Sequence, residues 1–452
     1  MVFGFGSLKR KSRVIPTPEV TEEASTSTHP APQDGAGDTQ PIQDGAGAPI
    51  SSNAPKGTMS KPLDIVFLQD TTGSQSPYID SARAAIRGIC DTIISSSSMS
   101  SNDLRFGLIA FRDHPPQDRT YVTKPFDFTS DINVMQKNLA SLNATGGGDG
   151  PEAQTAALAA GLEMDWKEDA VKMLVLITDA PPHGLGEVGD GFSESPDQND
   201  PLELARQMSQ KGITLFVIAC EPGLSRWKHA IDFYTALSEI TSGRMFPLLM
   251  ADKLGEYIVG TAIETIETEK LISEFENTIL EDVYDKDKKV EDVVGNLQDY
   301  IKTRGIQVNT VVVEDVYRSS DTSKKNVVSW RNAKSLGVAR DKVAEVSEPR
   351  LQPQYMGSAA PSPYGSAGGG WKSRGRTASH RVSLSAEPSS APMLYASAPG
   401  PKLKKQDLSV NQAHRIVMQS MARHSEVTSE GMVSRKSGKV IASSEYATPG
   451  YD

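Results

Sequence analysis

The stretch Asp-Thr-Thr-Gly-Ser follows directly on an apolar run at residues 63–69. Asp70, Thr72 and Ser74 therefore present three oxygen ligands, one carboxylate and two hydroxyl groups, on one tight loop. The run before them is short and rich in β-branched residues, which is typical of a buried central strand. Carboxylate and hydroxyl oxygens are hard ligands of the kind that Mg²⁺ and Mn²⁺ prefer. The loop is therefore a candidate for divalent-metal chemistry.

Two later segments supply further oxygen ligands. A glycine-rich stretch at residues 146–150 carries Asp149 and leads into an Ala/Leu-rich helical pattern, and an apolar run at residues 174–178 ends at Asp179. Open sheets of parallel strands bind ligands at the carboxyl edge of their strands, so the three loops converge if their strands are parallel neighbours. We therefore expect one metal site formed by Asp70, Thr72, Ser74, Asp149 and Asp179.

The elements that must position these loops alternate between strand and helix patterns from residue 61 to residue 316. Short apolar runs are separated by segments with apolar side chains at helical spacing. This alternation predicts an α/β fold, a doubly wound, mainly parallel, Rossmann-like sheet with helices on both faces. The polar stretch at residues 184–200 is too long for a routine turn, and insertions at this edge of a sheet commonly carry specificity.

The three loops resemble the metal-ion-dependent adhesion site (MIDAS) of a von Willebrand factor type A (vWA) domain. The first loop of that family reads Asp-x-Ser-x-Ser, and here it reads Asp70-x-Thr72-x-Ser74. The aspartate of the family's third loop corresponds to Asp179. Asp149 stands where the family has a threonine, and this departure adds negative charge to the site.

The pattern is closest to the vWA module of the intracellular von Willebrand alpha-kinase group, over roughly residues 63–280. The triplet Arg-Asp-His at residues 112–114 and the sequence Asp-Ala-Pro-Pro-His-Gly at residues 179–184 carry this likeness. The resemblance implies that Thr72 and Ser74 contact the ion directly and that the aspartates often act through water. It further implies a module that binds Mg²⁺ or Mn²⁺ and acts, without being an enzyme, as an intracellular protein–protein interaction or scaffold protein.

Two other functions stay open at this point. The loop at Asp70 also looks like the aspartyl-phosphate loop of haloacid dehalogenase-type enzymes, in which this residue would be the nucleophile of a Mg²⁺-dependent phosphohydrolase. Alternatively, the chain is a regulatory relative of the vWA alpha-kinases with a lapsed metal site. An alpha-kinase domain itself is not expected, because its zinc site needs cysteines and none follows Cys220. We interpret His114 and His183 as hydrogen-bonding residues of the loops.

Composition and the family resemblance together predict four parts of the chain: a leader (1–60), a vWA domain (61–283), a helical and strand extension (284–316) and a basic, Ser/Gly/Pro-rich tail (317–452). The leader and the tail are predicted to be disordered. Residues 61–316 carry 22 Lys and Arg against 41 Asp and Glu, whereas the tail carries 20 against 10. A basic tail of this kind is suited to contact anionic surfaces, including the acidic domain itself.

No apolar run is long enough to form a signal peptide core or a transmembrane segment. The two cysteines give no disulfide framework, and there is no specific nucleic-acid motif. We therefore predict a cytoplasmic protein with a protein partner.

Overall fold

The structure, a computed structural model, describes residues 61–97, 99–356 and 400–445. The predicted leader and the rest of the predicted tail lie outside the described residues. None of the helices within these ranges is long and apolar enough to cross a membrane.

Six strands form one central sheet. They are β1 (Leu63–Asp70), β2 (Leu104–Phe111), β3 (Thr123–Thr129), β4 (Val171–Thr178), β5 (Ile213–Cys220) and β6 (Met245–Leu248). Their spatial order is β3-β2-β1-β4-β5-β6, and only the pair β2 and β3 is antiparallel. The strand order reverses direction between β1 and β4, which makes this place the topological switch point of the sheet, where open α/β folds bind their ligands.

Helices cover both faces of this sheet. One face packs against α1 (Ser76–Ser97), α2 (Ile132–Ala140) and α6 (Leu254–Leu280), and the other against α3 (Gln154–Leu162), α4 (Pro201–Gln210) and α5 (Ala230–Ile240). Successive side chains of β1 enter the hydrophobic core of the sheet on alternate faces: Ile65 and Phe67 on one face, Val66 and Leu68 on the other. All eight residues of β1 are buried as a result. The predicted doubly wound α/β fold is confirmed.

Further helices and strands follow the sheet. They are α7 (Val290–Thr303), β7 (Gln307–Val312), α8 (Asp321–Asn332), α9 (Leu336–Arg340), β8 (Lys402–Asp407), α10 (Val410–Arg423), β9 (Ser425–Val427), β10 (Gly431–Ser434) and β11 (Val440–Ala442). The prediction of a disordered tail is thereby corrected for residues 317–356 and 400–445. Its average composition concealed short apolar segments. Trp330 of α8, for example, is fully buried, with its ring 5.5 Å from that of Phe233 in α5.

A second hydrophobic core lies beyond the sheet. It joins the second half of α6 and helix α7 to α10, through residues that include Ile272, Ile301, Ile416, Val417 and Met421. Strand β7, which the sequence alone does not place, pairs antiparallel with β8. Residues 400–445 therefore complete a core that α6 and α7 leave open.

Basic residues of the predicted tail pair with acids of the preceding domain. Arg423 donates to both carboxyl oxygens of the buried Glu269, over 2.8 and 2.6 Å, and Arg350 forms an ion pair with the buried Asp232. The opposite charges of the two parts of the chain thus meet within the fold. Removing Arg350 would leave the buried Asp232 without the counter-ion that it has among the described residues, which is costly.

We expect Val417→Ala to lower the free energy of unfolding by about 2–3 kcal/mol, because Val417 is fully buried in the second core. The matched control is Val410→Ala in the same helix, where the side chain is 48% exposed. This control should change stability by no more than about 0.5 kcal/mol. Urea unfolding of the full chain measures both variants. Equal effects of the two substitutions would contradict the packing of α10 described above.

Candidate metal centre

The first loop leaves β1 at the switch point of the sheet. Asp70 is fully buried, and its carboxyl group accepts three hydrogen bonds. Oδ1 accepts from the backbone N (2.9 Å) and the hydroxyl (2.7 Å) of Thr72, and Oδ2 accepts from the hydroxyl of Thr178 (2.9 Å). Burial raises the pKa of Asp70 to about 7, and the nearby charge of Asp179 acts in the same direction. This carboxyl group is held rigidly at the end of β1 and orients the Thr72 hydroxyl.

The third loop begins at Asp179, directly after β4. Its Oδ1 accepts hydrogen bonds from the Ser74 hydroxyl (3.0 Å) and from the side-chain amide of Gln75 (2.7 Å). Burial raises the pKa of Asp179. Ser74 is exposed, so its hydroxyl lies where the site opens to solvent. The structure thus brings together four of the five predicted residues, Asp70, Thr72, Ser74 and Asp179.

The acid that the second loop contributes to this group is Glu152, which the sequence analysis missed. It is 5% exposed, its Oε2 has no hydrogen-bond partner among the described residues, and its backbone N donates to the carbonyl of Pro181 (3.0 Å). A Cβ at Gly147 would lie 2.8 Å from Glu152 Oε1 and 3.3 Å from Thr72 Cβ. The absence of a side chain there lets the Glu152 carboxyl approach the first loop.

Burial, together with neighbouring carboxylates, raises the pKa of Glu152. Burial raises its pKa to about 11, and the charges of Asp70, Asp113, Asp179 and Asp149 add to this effect, in that order. The sequence signal that could have found this residue is its place just before α3, where it follows the glycine-rich loop. In the absence of a cation, the group holds a proton that a divalent ion would replace.

Asp149, the fifth predicted ligand, lies in a neighbouring cluster. Its Oδ2 accepts from the side-chain amide of Gln117 (3.3 Å) and from the backbone N of Gly191. One oxygen of its carboxyl group lies within 4.8 Å of ligand atoms of Asp113 and His183. Gly147 and Gly150 flank this position with φ of +85° and +114°, which glycine adopts readily. The backbone turns here, and Asp149 contacts Gly191 of the loop at residues 184–200.

His183 anchors that loop. Its Nε2 lies 2.6 Å from Asp113 Oδ1, and its Nδ1 lies 2.8 Å from Asp190 Oδ1. Burial lowers the pKa of His183, but the hydrogen bonds and charges of the two carboxylates outweigh burial and raise the pKa to about 9. Asp190 also accepts from the backbone N of Gly184 (2.8 Å) and of Phe192 (2.9 Å). The two His183 contacts thus tie the loop at residues 184–200 to the loop after β2.

The loop after β5 lies beside the third loop of the site. The indole of Trp227 donates to the carbonyl of Asp179 (3.1 Å), and Glu221 accepts from the hydroxyl of Tyr317 (2.7 Å) and the backbone N of Ser225 (3.0 Å). Burial raises the pKa of Glu221 to about 7, although the bonds from Tyr317 and Ser225 act in the opposite direction. The hydrogen bond from Tyr317 ties the segment after β7 to the loop after β5.

An α/β sheet with an acidic, hydroxyl-bearing edge at its switch point defines a class of domain, and comparison with known proteins identifies its family. The family model of the von Willebrand factor type A domain matches residues 64–248. The chain therefore contains a vWA domain, as the first-loop pattern predicts. Apart from Leu63, the first residue of β1, this range holds the six strands of the sheet, and it holds the candidate ligands Asp70, Thr72, Ser74, Glu152 and Asp179.

Two curated proteins share sequence with this chain. The alpha-protein kinase vwkA of Dictyostelium discoideum is 28% identical over 125 residues, which are 28% of this chain and 19% of that protein. The putative ariadne-like RING finger protein R811 of Acanthamoeba polyphaga mimivirus is 27% identical over 316 residues, which are 64% of this chain and 29% of that protein. The chain thus spans less than a third of the length of either relative.

Solved structures with a similar chain trace include the pilus adhesin SpaC from Lactobacillus rhamnosus GG. The TM-score is 0.34 at 16% identity, over 46% of this chain and 31% of the adhesin chain. Proximal thread matrix protein 1 from the mussel byssus gives a TM-score of 0.32 at 15% identity, over 45% of this chain and 46% of that chain.

The raised pKa of Glu221 predicts a pH effect on stability. Because the folded pKa lies above the unfolded value, protonation of Glu221 stabilises the fold fully below about pH 4.5, and this contribution is lost as the pH rises through about 7. Glu221→Gln is neutral throughout. Between pH 5 and pH 8 in EDTA, wild type should therefore lose about 1–3 kcal/mol more than the variant in urea unfolding. Glu163→Gln, whose side chain is 79% exposed, should follow wild type. If the free energy of unfolding of E221Q changed with pH as that of wild type does, the raised pKa of Glu221 would be contradicted.

Proposed function

We propose that the vWA domain binds one divalent ion, Mg²⁺ or Mn²⁺, between Asp70, Thr72, Ser74, Glu152 and Asp179, and that the loaded site docks an acidic group of a protein partner. The observation that carries this proposal is Glu152. A buried carboxyl with an unpartnered oxygen, set among other carboxylates, is costly unless a cation or a proton compensates it. The donor set consists of oxygen atoms alone, which fits a hard divalent ion.

The hydrogen bonds of the two hydroxyl groups support this assignment. Thr72 donates its proton to Asp70, and Ser74 donates its proton to Asp179. Each hydroxyl oxygen therefore keeps lone pairs for an ion, while the carboxylate behind it fixes the direction of the hydroxyl. Asp70 and Asp179 balance the charge of the ion from behind these hydroxyls, as the family resemblance suggests.

The exposed side of the site is where a partner would bind. Thr72 is buried and Ser74 is exposed, so the hydroxyl pair runs from the interior to the surface. A bound divalent ion supplies an electrophilic position at which a carboxylate oxygen can be held. The residues of the chain hold the ion and orient its hydroxyl ligands. In this proposal Glu152 takes the second-loop position that the sequence analysis gives to Asp149.

The phosphohydrolase alternative is not favoured by the surroundings of Asp70. A nucleophilic carboxylate needs an oxygen that can reach phosphorus. Asp70 is fully buried, and both of its oxygens already accept hydrogen bonds. We therefore propose an intracellular interaction or scaffold role, with a protein partner, rather than catalysis.

A thermal melt of the full chain tests metal binding. We expect Mg²⁺ or Mn²⁺ to raise the melting temperature by several degrees over EDTA, because an ion at 100 times its Kd adds about 2.7 kcal/mol of stability. Ser74→Ala removes an exposed ligand and should lose most of this shift. Ser96→Ala, exposed near the other end of α1, about 30 Å away by helix length, should keep it.

The same variants test the docking step. Immobilised wild type should retain a specific protein in Mg²⁺ and release it in EDTA, the S96A variant should behave alike, and the S74A variant should not retain it. Wild type that shows no shift with Mg²⁺, Mn²⁺ or Ca²⁺ would contradict the metal site and favour the lapsed-site alternative. A metal shift without metal-dependent retention would contradict the docking role alone.

A further inference from the structure

Three residues beside the candidate metal centre form a cluster with a different composition. Asp113 follows β2, Asp149 lies in the glycine-rich loop and His183 lies in the loop after β4. Each offers a ligand atom, and these atoms all lie within 4.8 Å of one another. Asp113 and His183 are 0% and 1% exposed, and Asp149 is half-buried. Three separate loops thus bring two carboxylates and an imidazole to one place.

Polar atoms in this cluster lack partners. Asp113 Oδ2 and Asp149 Oδ1 are both buried and have no hydrogen-bond partner in the described part of the chain. Buried polar atoms are nearly always hydrogen-bonded, so each unsatisfied atom needs a physical explanation. Two unpartnered carboxylate oxygens in one cluster are explained by a cation held between them.

His183 is oriented as a metal-binding histidine is. Its Nδ1 lies 2.8 Å from Asp190 Oδ1, and two backbone N–H groups hold that carboxylate, from Gly184 (2.8 Å) and Phe192 (2.9 Å). Metal-ligating histidines commonly donate one ring N–H to a carboxylate, which leaves the other nitrogen for the ion. Nδ1–H donates to Asp190, and Nε2–H donates to Asp113 Oδ1, 2.6 Å away. A divalent ion would take the place of the Nε2 proton and bind the same two atoms.

We propose that Asp113, Asp149 and His183 bind a second divalent ion, of the zinc class, with Asp190 as the positioning residue of the histidine. One imidazole and two carboxylates form a ligand set that suits Zn²⁺ or Co²⁺ better than Mg²⁺, which prefers oxygen ligands alone. Zinc ligands at about 2.0–2.2 Å from the ion lie roughly 3.3 Å apart. Small side-chain rotations therefore bring these atoms into coordination. This inference does not rest on the proposed function of the first site.

The experiment uses the EDTA-stripped full chain with Zn²⁺, and Co²⁺ as the spectroscopic probe. We expect tight Zn²⁺ binding by calorimetry and a visible Co²⁺ absorption band characteristic of low coordination with nitrogen ligation. His183→Gln should lower Zn²⁺ affinity at least 100-fold and abolish the band. Asp190→Asn should lower the affinity 10- to 100-fold with the band retained but shifted, as expected for loss of a positioning residue.

Ser74→Ala separates the two sites. This variant should lose the Mg²⁺ response and keep the Zn²⁺ affinity and the Co²⁺ band, so failure of one site does not imply failure of the other. If H183Q does not fold, Asp149→Asn at the half-buried position decides, with at least a 10-fold loss expected. Unchanged Zn²⁺ affinity in both variants, or no Zn²⁺ binding by wild type, would overturn the proposal and leave the cluster as an ion-pair network.

Discussion

The electrostatic repulsion among buried carboxylates is the constraint on which the rest of this structure depends. Asp70, Glu152 and Asp179 meet at the switch point of the sheet, and burial raises the pKa of all three. A low-dielectric setting makes such a group unfavourable without compensating positive charge. The fold tolerates the arrangement because hydroxyl and amide donors from Thr72, Ser74 and neighbouring side chains partly compensate the acids.

The scaffold fixes these acids through short, direct links. Asp70 is the last residue of β1, and Thr178, which bonds to it, is the last residue of the neighbouring β4, so the two strand ends hold the carboxylate between them. The segment after β7 braces the outer loops. Tyr317 donates a hydrogen bond to Glu221 in the loop after β5, and Arg340 donates one to the carbonyl of Gly184 (3.1 Å) in the loop after β4. The part of the chain that follows the vWA domain thus supports the site as well as the second core.

Sequence patterns predicted the sheet and four of the five residues proposed for the first site, because strand periodicity and an acid at a strand end are local features. The position of the Asp149 side chain, in contrast, is not determined by the local sequence. Its direction depends on a turn with positive φ and on contacts with Gln117 and Gly191, which come from other parts of the chain. Glu152 was missed for the same reason, since its role follows from burial among acids that are distant in sequence.

Helix α10, in the described part of the tail, shows a different limit of prediction from sequence. Val417 and its neighbours in α10 form a short apolar stripe within a long polar region, and such a stripe has no core of its own. It becomes part of a core only where α6 and α7 present a matching apolar surface. Basic side chains such as Arg423 reinforce this contact by meeting buried acids such as Glu269. Composition averaged over the tail cannot reveal either interaction.

X-ray diffraction at the manganese absorption edge, from crystals of the full chain grown with Mn²⁺, tests the central claim most directly. The account predicts an anomalous peak within about 2.0–2.5 Å of the hydroxyl oxygens of Thr72 and Ser74, with the carboxyl of Glu152 turned toward it. A map with no peak between these residues at saturating Mn²⁺ would contradict the claim that this edge of the sheet is a metal-binding site.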